Sequence, residues 1–295
     1  MKLVVLGAGA GGGLPQWNCG CQNCLDARAG RIAGMTQSSV AVSPDGVRWI
    51  VLNASPDIRA QFGTVAQMHP PALRGTPMAG LVLTNGDIDH IAGLLTLREK
   101  TAFDLYATQA GMDILDSNSV FGVLDPQLVA RRAIALDTPF TPLEGLTITP
   151  FAVPGKVALF LEGEDLDLQA MGEQTIGLLV ESGGKSLAYV PGCAALPDWL
   201  VAQLGRADLL LFDGTVWEND DMPRTGTGQK TGARMGHVQI NGPDGSLARL
   251  AGAKGRKVLI HINNTNPILQ PDAPERSEVT QAGWEIAFDG MEITL

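Results

Sequence analysis

The chain has 295 residues, of which 45% are apolar and 18% charged, with a formal net charge of -10. This balance fits one folded domain, neither disordered nor fibrous, and the acidity argues against a surface that neutralises nucleic-acid phosphates. No apolar run approaches the roughly 20 residues needed to cross a bilayer, and the start MKLVVLGAGAGGG puts glycines where a secretory signal needs an apolar core, so the expected compartment is the cytoplasm. Four cysteines are too few for a disulfide scaffold, and a reducing compartment favours thiolate ligands over bridges.

An apolar, strand-like run opens the chain and leads into Gly7, Gly9 and Gly12. The GxGxxG spacing of a dinucleotide fold requires a helix that begins within the motif and an acidic residue about 20 positions on. Here the glycines run into Leu14-Pro15-Gln16-Trp17-Asn18 without helical periodicity. The motif therefore reads as a loop of permissive backbone, free to line a site. Cys19, Cys21 and Cys24 follow as CxCxxC, half of a metal knot. SSVAVS and VRWIVLN, joined through Pro44-Asp45-Gly46, predict a hairpin. A helix is expected from Asp57 to about Met68, a buried strand over AGLVLTN ending at Asn85, and helical spacing from Ile91 to Lys100. Further strands are expected at FDLYAT (103–108), LTITPFAV (146–153), TIGLLVES and KSLAYV, the last two meeting across Gly183-Gly184. The acidic stretch from Glu162 to Glu173 reads as a surface loop or lid. ADLLLFD and RKVLIHI are short apolar strands that deliver Asp213 and His261 at their ends. Strands recur in both halves with helices between them, which predicts an α/β layered architecture.

The chemistry concentrates in LTNGDIDHIAGL, residues 83–94, where Asp87, Asp89 and His90 sit between a buried strand and a helix. A bland alternative is that an aspartate caps the helix and His90 packs on it. Asp213 and His261, also at strand ends, weigh against that alternative. Together these positions supply two imidazoles and two carboxylates, a set suited to a divalent metal.

The order of elements, with GDIDHIAGL after a strand, LLLFDGT and LIHINNTNP, resembles the metallo-β-lactamase superfamily. The pieces GGGLPQWNCGCQNC, NASPDI, VPGK, YVPGC, TGARMGHVQI and HINNTNPIL resemble, over essentially the whole chain, the B family of pyrroloquinoline quinone biosynthesis. The resemblance implies a single domain over 1–295, built as a four-layer αββα sandwich, with a zinc knot around 19–24 and metal chemistry at one edge. The superfamily pattern HxHxDH is altered: Asn85 and Asp87 stand at its two leading histidines, while Asp89 and His90 match. A third expected histidine is missing from the turn Val153-Pro154-Gly155-Lys156. A two-metal hydrolase needs both pockets. The remaining Asp89, His90, Asp213 and His261 instead suit a mononuclear non-haem Fe(II) site with open positions.

That agrees with the activity the resemblance implies: iron-dependent, oxygen-using hydroxylation of the tyrosine ring in a peptide-derived Glu-Tyr intermediate, alongside other enzymes of the pathway. His237 is then an acid/base or substrate-orienting group, or a loop histidine that bonds backbone. Lys156 either attracts substrate carboxylates or is an exposed lysine. Phosphodiesterase members of the superfamily close the cysteine site with a histidine just after the last active-site histidine. Asn264 stands there in this chain, so the fourth zinc ligand stays open, with Cys193 and His69 as alternatives lacking positional support. Two other functions remain: a metal-dependent phosphodiesterase or nuclease, and a carrier of the finished quinone cofactor.

Overall fold

The computed structural model describes residues 1–163, 167–168 and 170–295. The first half carries β1 (Lys2–Gly7), β2 (Ser39–Ser43), β3 (Trp49–Leu52), β4 (Met78–Val82), β5 (Phe103–Ala107) and β6 (Val129–Ala133). The second half carries β7 (Phe140–Leu143), β8 (Leu146–Ala152), β9 (Ile176–Ser182), β10 (Lys185–Val190), β11 (Leu209–Asp213), β12 (Arg256–Ile260), β13 (Trp284–Ile286) and β14 (Glu292–Thr294). Among the described residues they form two seven-stranded sheets, ordered β14-β1-β2-β3-β4-β5-β6 and β13-β12-β11-β10-β9-β8-β7. Each sheet is antiparallel on one side and parallel on the other, with β3 to β6 parallel in the first and β10 to β13 parallel in the second.

Why these strands are apolar on every residue follows from the layering. Leu3 and Val5 of β1, with Leu187 and Tyr189 of β10, belong to the core between the sheets. The alternate residues of β1, Val4 and Leu6, pack outward against Ile58, Ile91, Leu94 and Leu115 of the helical segments. Those of β10, Ala188 and Val190, pack outward with Leu200, Leu204 and Val279. Side chains two apart share a face, and a sheet covered on both faces reads as a continuous hydrophobic run. Helices, two sheets and helices make the four-layer αββα sandwich anticipated above.

The hairpin β2–β3 pairs antiparallel, and β9 turns into β10 across Gly183 and Gly184, both with positive φ. The helix after Pro56 is shorter than its sequence pattern suggests, Ile58–Thr64 followed by a 3-10 turn at Ala66–Met68. The largest difference lies beyond the aspartate-rich motif. The predicted helix from Ile91 to Lys100 is instead a single α-turn, Ile88–Ile91, and a 3-10 turn, Ala92–Leu95. The cause is close packing on the strand β3 exit: His90 O accepts from Ala54 N at 2.7 Å, and Gly93 N donates to Ala54 O at 2.9 Å. Of the acidic stretch 162–173, residues 164–166 and 169 lie outside the described residues. Glu162 is half-buried, its side chain 10% exposed and ion-paired to Lys156. No helix among the described residues is long and apolar enough to cross a membrane.

A β-carbon at Gly93 would lie 2.2 Å from Ser55 O and 2.8 Å from Ala54 O, backbone atoms that cannot swing aside. Gly93→Ala is therefore expected to lower stability by about 2 to 3 kcal/mol through overpacking, read by urea unfolding. An unchanged midpoint would show that the aspartate-rich turn is not pinned there.

Candidate metal centre

The parallel strands of both sheets end at one edge, and side chains carried just past those ends meet there, the usual place for ligand sites in open α/β sheets. The cavity at this edge measures about 240 Å³ and includes Asp87, Asp89, His90, Lys156, His237 and His261 in its lining. Ala10 and Gly11 of the glycine loop also line it. A larger cavity, about 420 Å³, is lined by residues such as Leu115, Asn118 and Arg131 and contains none of the candidate ligands.

One oxygen of Asp89 and one nitrogen from each of His90 and His261 lie within 4.8 Å of one another. His261 Nε2 stands 3.0 Å from Asp89 Oδ2, and His90 Nε2 stands 4.0 Å from the same oxygen. The orientation of His90 is set by Asn85, whose Oδ1 lies 2.7 Å from His90 Nδ1 and also accepts from Asp87 N at 3.1 Å. An amide oxygen only accepts, so His90 carries its proton on Nδ1 and leaves a lone pair on Nε2. That nitrogen is buried without a hydrogen-bond partner among the described residues. An orphaned buried acceptor beside a carboxylate and a second imidazole fits a divalent metal. Asn85, which stands where the superfamily has a ligand, here fixes the tautomer of the next one.

His261 is held from its other side. It sits at φ +60, a left-handed conformation rare for a non-glycine residue and found at functional sites. Its Nδ1 is 2.8 Å from Thr215 Oγ, and that hydroxyl donates to Asp213 Oδ1 at 2.6 Å. Having spent its proton, the hydroxyl accepts from His261 Nδ1, which directs Nε2 toward Asp89. Asp213 is fully buried. Besides Thr215 Oγ it accepts from Thr215 N at 3.0 Å, Cys193 N at 3.0 Å and His237 Nδ1 at 2.7 Å. A carboxylate offers about four acceptor positions, so all of those on Asp213 are engaged. Asp213, His237 and His261 form a second close group, gathered around the Thr215 hydroxyl. His237 stacks on His261 with ring centroids 5.1 Å apart.

Burial depresses the His90 imidazole to about 4, against 6.5 ordinarily. For Asp89 burial works in the opposite direction, yet the facing His90 and His261 hold its carboxyl below the usual carboxylate range. Burial opposes a charge on His261 too, but the Asp89 hydrogen bond and the negative charges around it raise its pKa. Asp87 is raised, chiefly by burial and then by the charge of Asp89. It accepts from Leu159 N at 3.2 Å.

Lys156 is a buried wall residue, its side chain 9% exposed and its Nζ 3.0 Å from Glu162. Cys193 has its thiol directed to Ala195 O at 2.9 Å. His69 faces Gly63 O at 3.1 Å. The three sulfurs of Cys19, Cys21 and Cys24 do converge. Asn264 Nδ2 stands 3.2, 3.6 and 3.3 Å from them in that order. Thiolates on a tetrahedral zinc sit about 3.8 Å apart, and the cluster is compatible with that. The oxygen and nitrogen of an amide exchange places by a flip, which makes Asn264 Oδ1 available as a fourth donor. The sequence alone does not reveal the partner roles of Thr215, Asn85 and Glu162. For Thr215 the signal was its position two residues past Asp213 in LLLFDGT.

Two helix-covered sheets with an imidazole and carboxylate cluster at their common edge define a metallo-β-lactamase fold. In agreement, residues 48–262 match the β-lactamase superfamily domain. The chain is 57% identical to the coenzyme PQQ synthesis protein B of Ruegeria pomeroyi and 55% identical to that of Methylorubrum populi, each over the full length of both chains. It superposes on the crystal structure of Zn(2+)-bound PqqB from Methylobacterium extorquens with a TM-score of 0.98, at 53% identity and full coverage of both. A diphosphatase of the PhnP family shares the fold at a TM-score of 0.71 and 21% identity, over 99% of this chain and 96% of the other. The chain belongs to the coenzyme PQQ synthesis protein B family of the β-lactamase superfamily.

The low pKa of His90 has a sign that can be checked. Between pH 6.5 and about 4 the unfolded chain binds a proton at this residue that the folded chain does not. Its contribution to stability is therefore complete above pH 6.5 and declines as the pH falls through that window. Chelator-treated protein is expected to lose about 2 kcal/mol more between pH 7 and 5 than His90→Gln does, measured by urea unfolding at each pH. Parallel profiles would show that His90 does not carry this burden.

Proposed function

We propose that this chain acts in pyrroloquinoline quinone biosynthesis, as the names of its relatives indicate, and that it hydroxylates the tyrosine ring of a Glu-Tyr-derived intermediate using one Fe(II) ion and dioxygen. The observation that carries the reading is the buried, unpartnered Nε2 of His90 beside Asp89 and His261. Two imidazoles and one carboxylate form the ligand set of non-haem Fe(II) oxygenases. Asp89, His90 and His261 would hold the ion directly; Asp213, expected from sequence as a fourth ligand, has its acceptor positions taken by four donors and would act on the ion through Thr215 and His261. When bound, iron supplies oxygen activation; one oxygen atom enters the ring and the other leaves as water, with two electrons from an external reductant.

The chain's own residues prepare that chemistry. Asn85 and the Asp213-Thr215 pair fix the protons of the two imidazoles on their Nδ1 atoms. His237 lines the same cavity with Nδ1 committed to Asp213, so its Nε2 is the atom that can take or return a proton near the ring. The hydrolytic alternative requires a second pocket, and its two leading positions are filled by Asn85, engaged with His90, and Asp87, engaged with Leu159. The three cysteine sulfurs are assigned to a structural zinc with Asn264 as the fourth donor.

His90→Ala and His261→Ala are expected to abolish oxygen-dependent gain of one oxygen atom by a Glu-Tyr peptide probe, measured by oxygen uptake and product mass. His237→Ala retains iron and loses only part of the rate. Elemental analysis should find one chelator-resistant zinc and one exchangeable active-site ion per chain. Full activity of the His90 and His261 variants, or product formed without oxygen, would favour the carrier or hydrolase function. Thr215→Val keeps the shape but removes the hydroxyl, and should weaken iron binding about 10- to 100-fold. Unaltered affinity would mean that His261 is oriented by packing alone.

A further inference from the structure

Next to the candidate metal centre lies an anion site that the chain fills itself. Glu162 is half-buried between two cations, with Oε1 3.0 Å from Lys156 Nζ and Oε2 2.7 Å from Arg234 Nη2. The Arg234 hydrogen bond, with help from Lys156, draws the Glu162 carboxyl down to about 2. Both cations are built in. The Lys156 stem lies against Gly236, where a β-carbon would come within 3.3 Å of Lys156 Cγ. Arg234 lies in the short helix Gly232–Met235, capped by the Thr231 hydroxyl. The segment between Lys156 and Glu162 closes over the cavity, with Leu159 in its lining and Leu159 N on Asp87 Oδ1. Its residues Leu159, Phe160 and Leu161 are 54%, 43% and 46% exposed, so little apolar packing holds it down. Lys230 lines the same cavity and makes no ion pair among the described residues.

We propose that Lys156, which lines the cavity, and Arg234, next to the lining residue Met235, form a binding site for a ligand carboxylate, and that Glu162 occupies it as an internal competitor which the ligand displaces. The inference rests on the reading of this cavity as the substrate site, and deepens it by naming the group that is recognised. Exchanging one carboxylate for another preserves the charge pairing of Lys156, whose side chain is 9% exposed, and of the more exposed Arg234; leaving the lysine unpaired would cost stability. Glu162 moves toward water, where its charge is well solvated, and the segment that carries it opens. Competition of this kind lowers apparent affinity by the fraction of molecules in which the site is self-occupied. Removing the internal charge must therefore tighten binding of carboxylate ligands and leave neutral ones unaffected.

The experiment uses zinc-loaded full-length protein, in which no turnover complicates binding, and calorimetric titration with N-acetyl-Glu-Tyr-amide and its Gln-Tyr counterpart. Glu162→Gln is expected to bind the Glu probe about tenfold more tightly than the parent, and the Gln probe with unchanged affinity. Arg234→Gln, at a 40% exposed side chain, should reduce the preference for Glu over Gln and cancel the gain in the double variant. Equal tightening for both probes, or a Glu probe that binds the parent and Glu162→Gln with the same affinity, would overturn the proposal. Glutarate serves as a probe without a tyrosine: if it binds Glu162→Gln more tightly than the parent while neither peptide binds, the carboxylate site stands and the Glu-Tyr substrate falls.

Discussion

The carboxylate of Asp213 is the point on which the site turns. It is fully buried at the end of β11, and an uncompensated charge in that position would cost several kcal/mol. Four donors prevent this: two from Thr215, one from the backbone of Cys193 and one from His237. Those donors come from three separate segments, the β10 exit, the β11 exit and the loop before Val238. Satisfying one buried ion therefore fixes three loops against the sheet edge at once. It also passes through the Thr215 hydroxyl to His261, so the loop positions at the sheet edge and the proton position on a ring nitrogen depend on the same group.

A second constraint reaches His261 from the other direction. Only three residues beyond it, Asn264 places its side chain among the sulfurs of Cys19, Cys21 and Cys24. The backbone carbonyls of Asn264 and Asn266 both accept from Asn23 Nδ2 at 2.9 Å, while Arg28 clasps the carbonyls of Gln16 and Cys19. The cysteine loop is thus fastened to the β12 exit across more than 240 residues of chain. A left-handed histidine backbone persists when its surroundings over-determine it, and here it is bracketed by the Asp213 pair before it and the cysteine knot behind it. The glycine loop belongs to the same arrangement. Gly9 bridges to Ile262, and Gly11 lines the cavity beside Asp89, a place for the glycine loop that involves no nucleotide.

The fold was largely legible because its signal is local. Runs such as LLLFD and KVLI are apolar on every residue since both faces are covered, and each ends abruptly in a polar group that emerges at the edge. That is why Asp213 and His261 could be read as site residues, and why Asp89 and His90 were visible after β4. What escaped detection depends on neighbours far apart in sequence. Asn85 looks like a lost ligand until His90 Nδ1 is seen 2.7 Å from it. Thr215 looks like an ordinary turn residue until three side chains converge on its hydroxyl. Lys156 has no partner within sequence view that marks it as buried, and Glu162 belonged to an apparently solvated acidic run. The missing helix from Ile91 to Lys100 is the same lesson in backbone form: its spacing is helical, but contact of Gly93 with Ala54 redirects it.

The altered histidine motif can now be understood as a redistribution of charge across the cavity. With Asn85 neutral and the Asp87 pKa raised by burial and by the charge of Asp89, the side of the motif that would hold a second cation has exchanged two imidazoles for an amide and a carboxyl. The charge is concentrated instead on Asp89, between two imidazoles. Across the cavity Lys156, Lys230 and the nearby Arg234 make the lid side basic, in a chain whose net charge is -10. Such a field orients an asymmetric ligand: its anionic end is drawn to the lysine and arginine side, and its neutral end is left facing the imidazoles. A net charge of this sign repels anions nonspecifically, so the local basic wall favours those whose carboxylate reaches it.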